Sequence, residues 1–106
     1  MPKEIKSLLE KLKSGLKQIY GEQFREAYLY GSYARGDYDP DSDIDILIVL
    51  SDFEKYGAEL NRTSALIGDL SLEYGPTVSV VFTRLCEWQT DKLPLLLNIH
   101  AEGVAV

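Results

Sequence analysis

The chain has 106 residues, 45% of them hydrophobic and 26% charged, a balance that excludes a disordered or fibrous chain and predicts one globular domain spanning 1–106. Seventeen acidic residues against 11 basic ones leave a net charge of −6, which argues against a protein built to grip a nucleic-acid backbone. Cys86 is the only cysteine and His100 the only histidine, so no internal disulfide or Cys/His zinc cluster can form, and no apolar run reaches the ~18–20 residues of a membrane span.

Pro2 to Tyr20 predicts an amphipathic helix. Ile5, Leu8, Leu9, Leu12, Leu16, Ile19 and Tyr20 recur at helical spacing, with Pro2 suited to the start and Gly21 to the stop. Lys3, Glu4 and Lys6 interrupt the leucines, which is not the pattern of a secretory signal, so the expected location is the cytoplasm. Arg25 to Tyr30 predicts a strand, with Ala27 and Leu29 alternating against Tyr28 and Tyr30. Gly31-Ser32 ends it, Tyr33 to Arg35 begins a short helical turn, and Asp37 to Ser42, with Pro40, is a loop.

Asp43 to Leu50 is the clearest strand. Ile44, Ile46, Ile48 and Leu50 share one face; Asp43, Asp45, Leu47 and Val49 share the other. Its second half is apolar on both sides, as in a central strand covered twice. Gly57 to Tyr74 predicts a helix whose buried stripe is Leu60, Leu66, Ile67 and Leu70, stopped by Gly75-Pro76. Thr77 to Phe82 is a third strand, Arg84 to Asp91 a short helix, Leu93 to Ala101 a last helix and Gly103 to Val106 an extended tail. Trp88 and the run Leu93 to Leu97 could form a partner surface, although a domain this small needs them in its core. The order of elements predicts an α/β (α+β) fold, a small mixed sheet flanked by helices.

The chemistry lies in two short stretches. Asp43 and Asp45 stand at i and i+2 on a strand, so their carboxylates share a face with Cα atoms ~6–7 Å apart. Such a pair must be solvated, matched to cations, or bound to a metal such as Mg²⁺, which takes one or two carboxylates together with substrate phosphates. Upstream, Gly31 lets the backbone approach a phosphate, and the Ser32 hydroxyl with nearby N–H groups can bind its oxygens. Arg35 adds a possible charge-assisted contact. Either feature alone is weak; both together, one closing a strand and one opening the next, are much stronger. Tyr33 and Tyr38 flank the motif and could stack on a base or sit as ordinary rim tyrosines.

The alternating aspartates from Asp37 to Asp45 also imitate a calcium loop. Counted from Asp37, the sixth position is Ser42 rather than Gly and the twelfth is Ile48 rather than Glu, so that reading fails.

Gly31-Ser32-x-x-Arg35-Gly36 followed by Ser42-Asp43-Ile44-Asp45 resembles the signature of the DNA polymerase β-like nucleotidyltransferases, and within them the minimal nucleotidyltransferases (the MNT group). The resemblance implies a nucleotidyltransferase fold in which Asp43 and Asp45 bind two Mg²⁺ ions and Gly31 and Ser32, with Arg35 and Ser42 beside them, hold a nucleoside triphosphate such as ATP. It implies transfer of AMP or another NMP to a hydroxyl, and an antitoxin whose partner is a HEPN-domain ribonuclease toxin. In one place the chain departs from the pattern. A third carboxylate is expected on the strand Thr77 to Val81, and alternation places Ser79 there, while Glu73 at the preceding helix end is the nearest acidic substitute. The alternative is therefore a catalytically weak or inactive nucleotide-binding antitoxin that acts by forming a complex.

Overall fold

A computed structural model describes all of residues 1–106. Helix α1 (Lys3–Tyr20) leads through a 3-10 turn (Gly21–Gln23) into strand β1 (Phe24–Tyr30). A one-turn helix α2 (Ser32–Arg35) and a loop connect to β2 (Ile44–Leu50). Helix α3 (Tyr56–Tyr74), β3 (Val78–Arg84), two short helices α4 (Leu85–Thr90) and α5 (Pro94–Glu102), and a two-residue strand β4 (Val104–Ala105) complete the chain.

The four strands form one mixed sheet in the order β3-β2-β1-β4. β1 and β2 are antiparallel, as a short connection allows, and β2 and β3 are parallel because helix α3 carries the chain back to the start. β4 lies within the extended tail expected over Gly103 to Val106 and pairs because Leu29 and Tyr28 of β1 offer it an antiparallel edge.

The alternation in β2 divides the core into two layers. Ile44, Ile46, Ile48 and Leu50 pack with Leu8, Leu12 and Leu16 of α1 and Leu70 of α3. On the opposite face, Leu47 and Val49 pack with Trp88, Leu96 and Ile99. Every residue of β2 except Asp45 is buried, so this strand is the spine of the domain.

The apolar stripe predicted for α3 needs correction. Leu60 is exposed and Leu66 and Ile67 are half-buried; the buried positions are Glu59, Thr63 and Leu70. Two polar residues take inward positions because each finds a partner there. Glu59 accepts hydrogen bonds from the Tyr20 hydroxyl (2.8 Å) and the Arg62 guanidinium (3.0 Å), and the Thr63 hydroxyl donates to the Glu59 carbonyl (3.0 Å). The apolar C-terminal segment also divides. Trp88 and Leu96 are core, whereas Leu93, Leu95 and Leu97 are exposed. His100 lies against Trp88, its ring stacked at 3.5 Å and its Nε2 2.8 Å from the Trp88 carbonyl oxygen.

Candidate active site

The sheet register brings the predicted stretches together. Tyr30, the last residue of β1, pairs with Asp45 of β2, and Asp45 pairs in turn with Ser79 of β3. Directly paired residues project to the same side of a sheet, so Tyr30, Asp45 and Ser79 form a row across three strands. The row lies just beyond Leu47 and Val49, on the face that α4 and α5 cover further along. The residues of the row are half-buried, and Asp43 at the mouth is exposed.

Gly31 closes the site from the β1 side. Its φ of +76° lies in the region that favours glycine, and it turns the chain straight into α2. The turn presses the Gly31 backbone against Asp45, so closely that a Cβ built on Gly31 would overlap the Asp45 carboxylate. A strand end, a helical turn and a carboxylate thus meet at one point. The Ala34 and Arg35 N–H groups both donate to the Gly31 carbonyl (3.1 Å each). Those of Ser32 and Tyr33, at the start of the turn, are left without an acceptor inside it.

The electrostatics follow from this crowding. Burial, followed by the charge of Asp43, pushes the Asp45 carboxyl above the usual carboxylate range, and Arg35 only partly offsets it. Tyr30 was not among the residues singled out from sequence. Burial raises its phenol, and the charges of Asp45 and Tyr56 add to the effect. The available signal was its place directly before Gly31; its pairing with Asp45 needs the strand register.

The remaining predicted residues are placed less directly. Arg35 turns to the acidic loop and the C-terminal helix, with Nε 3.2 Å from Asp37 and a terminal nitrogen 3.5 Å from Glu102. Both partners raise its pKa. Ser42 ties the loop shut: its hydroxyl accepts from the Asp39 N–H (2.9 Å) and its own N–H donates to the Asp39 carbonyl (3.1 Å). Tyr33 is buried and stacked on Tyr38 at 4.3 Å, so the two tyrosines occupy one another's faces. Glu73 is held by Lys11 of α1 at 2.8 Å, in the helical layer on the other side of the sheet, and does not substitute for a carboxylate at Ser79.

Residues 9–99 match the family described as the nucleotidyltransferase domain. The chain belongs to that family. Two Methanocaldococcus jannaschii proteins named as candidate protein adenylyltransferases are similar to this nucleotidyltransferase domain over most of their length. MJ0141 is 28% identical over 103 residues, 97% of this chain and 99% of its own; MJ0604 is 37% identical over 96 residues, 85% of each. Among solved structures, a complex of a tri-AMPylated Shewanella oneidensis HEPN toxin with an MNT antitoxin matches with a TM-score of 0.62 and 18% identity, over 94% of this chain and 69% of the other. At that identity the likeness is one of fold.

Asp43 and Asp45 offer hard oxygen ligands on one face, and a cation between them would relieve both the burial and the repulsion that push Asp45 up. No third His, Cys, Asp or Glu joins them in a cluster able to hold a metal. Asp43 and Asp45 could hold a cation shared with nucleotide phosphates.

Proposed function

We propose that this nucleotidyltransferase domain transfers AMP from ATP to a hydroxyl on a partner protein, and that the partner is a HEPN-domain toxin which the chain neutralises as a cytoplasmic antitoxin. The observation that carries the reading is the contact of Gly31 with Asp45. It joins a backbone turn able to receive phosphate oxygens to a carboxylate pair able to receive their counter-ion. The names of the two archaeal relatives and the AMPylated toxin of the solved complex support AMP as the transferred group.

Asp43 and Asp45 would hold Mg²⁺, which when bound supplies neutralisation of the triphosphate and polarisation of the α-phosphate. Gly31 lets the backbone lie flat against the phosphates, and the Ser32 hydroxyl with the Ser32 and Tyr33 N–H groups donates to their oxygens. Ser42 holds the acidic loop together through Asp39. Arg35 can reach an anion only by leaving Asp37 and Glu102, both of them solvent-facing and easily exchanged. In the transfer, the acceptor oxygen attacks the α-phosphorus, the bond from that phosphorus to the bridging oxygen breaks, pyrophosphate leaves and the hydroxyl proton passes to solvent. The Tyr30 ring walls the site on the β1 side and keeps the Asp45 carboxylate from full hydration.

Ser79 favours a second reading. With a hydroxyl where a third carboxylate would assist, transfer is slow or lost, and the chain acts by binding nucleotide and partner. Radiolabelled ATP separates the possibilities. Incubation with Mg²⁺ and the neighbouring gene product should move an α-phosphate label, and not a γ-phosphate label, onto that protein. A γ-label on the partner, or stable complex formation with neither label, contradicts AMP transfer.

A further inference from the structure

The β3 edge of the sheet carries a groove of about 310 Å³ between the start of α3, the C-terminal half of β3 and the turn into α5. Its floor is apolar, built from Phe53, Tyr56, Val81, Phe82, Leu95 and Leu96. Exposed Leu93, 57% accessible, stands at its lip.

Strand addition is blocked at this edge. In the β2–β3 ladder the Ile44 N–H donates to the Thr77 carbonyl, so odd-numbered residues of β3 bond to β2 and even-numbered ones point outward. Three of the four outward N–H groups are taken by side chains: Val78 donates to the Ser71 hydroxyl (3.2 Å), Phe82 to the Tyr56 hydroxyl (3.2 Å) and Arg84 to the Glu87 carboxylate (3.4 Å), which leaves Val80 alone. With one free donor among four, this edge offers no continuous ladder to another strand, and an occupant engages it through side chains.

The rim selects the charge of that occupant. Glu54, Glu87 and Asp91 line it, and Arg84 is its only basic residue. Arg84 is consumed within the chain by Asp52 (3.1 Å), the Phe53 carbonyl (2.9 Å) and Glu87 (3.0 Å). Glu54 and Asp91 take part in no ion pair. A second copy of a chain with net charge −6 and the same acidic rim is repelled, as is an anionic membrane.

We infer that this groove docks a basic amphipathic helix of the partner protein, apolar side chains inward and lysines or arginines against Glu54 and Asp91. The inference rests on the transfer reading above and deepens it. Val81, two residues and ~6–7 Å along the strand from Ser79, is the lining residue nearest the row that contains Asp45, and the groove runs from there toward Arg84.

The test uses the full chain, labelled with ¹⁵N and titrated with a synthetic Leu/Lys helical peptide, beside the same peptide with every Lys replaced by Glu. The expected result is saturable shifts concentrated at Tyr56, Val81, Leu93 and Leu95, with no response to the acidic peptide. Leu95→Ser and the charge reversal Glu54→Lys/Asp91→Lys should each weaken binding by about tenfold. All three substituted residues are on the surface or rim, so a preserved spectrum shows that the variants fold. Shifts elsewhere, no saturable binding, equal binding of the acidic peptide, or self-association through this face in sedimentation would overturn the inference. A parallel titration with Mg²⁺ and ATP reads Gly31 and Asp45. Their response with a silent groove removes only the docking surface; a silent Gly31 and Asp45 removes the transfer reading beneath it.

Discussion

Gly31 and Asp45 are locked together: the backbone of one occupies the space beside the carboxylate of the other that any larger residue would fill. The sheet places Asp45 next to Tyr30, and the positive φ of Gly31 folds the chain back over it. Gly31→Ala therefore meets two penalties, a left-handed backbone and a side-chain overlap. Urea denaturation should show a loss of about 1–3 kcal/mol. Nucleotide binding, followed by calorimetry with Mg²⁺, should fall far more than the stability change explains, because the Asp45 carboxylate must move aside.

Asp45 sets up a pH test in metal-free protein. Its folded carboxyl holds a proton to higher pH than in the unfolded chain, because burial and Asp43 disfavour the charge. Ionisation in the folded state therefore costs stability. The cost is absent below the ordinary aspartate value of about 3.9, grows through the window up to the raised folded value, and is complete above it. Asp45→Asn should raise the melting temperature at pH 7 in the presence of a chelator, and the gain should vanish on acidification through that window. Magnesium should stabilise the wild type and leave Asp45→Asn unchanged.

Ser79→Asp restores a carboxylate directly beside Asp45 in the parallel register. Like charges on adjacent strands destabilise the metal-free fold. Calorimetric titration with Mn²⁺ should nonetheless show at least about a tenfold rise in affinity, equivalent to ~1.4 kcal/mol. Ser79→Ala, which adds no ligand, should leave the affinity where it was.

At the far end of β2, Glu59 is buried and depends on Tyr20 and Arg62. Tyr20→Phe deletes a 2.8 Å hydrogen bond to it and should cost about 1–2 kcal/mol in urea unfolding. Nucleotide binding should not change, since this cluster lies at the opposite end of the sheet from Asp45.

Much of this architecture was legible in the sequence because its signals are local. The alternation of Ile44, Ile46, Ile48 and Leu50 against Asp45, Leu47 and Val49 defines a central strand covered on both faces, and the leucines of α1 mark a single stripe. The alternation in Val78 to Phe82 also places Ser79 facing the site, and the register sets it beside Asp45. What the sequence concealed depends on distant partners. Glu59 and Thr63 take the inward positions of α3 in place of Leu60 because Tyr20 and Arg62 satisfy Glu59. Val104 and Ala105 become a strand only because β1 offers them an edge. Leu93, Leu95 and Leu97 look like core in a list of residues, but Leu96 alone of that run turns inward.

Nucleotide transfer and docking alone differ in what they require of the Asp43 and Asp45 carboxylates. The most direct measurement is α-labelled ATP incubated with Mg²⁺, the partner gene product and either wild type, Asp43→Ala or Asp45→Ala, with complex formation followed in the same samples. Transfer gives label on the partner with wild type, its loss in both variants, and a complex that forms in all three. An unlabelled partner throughout, bound equally by wild type and variants, would contradict it.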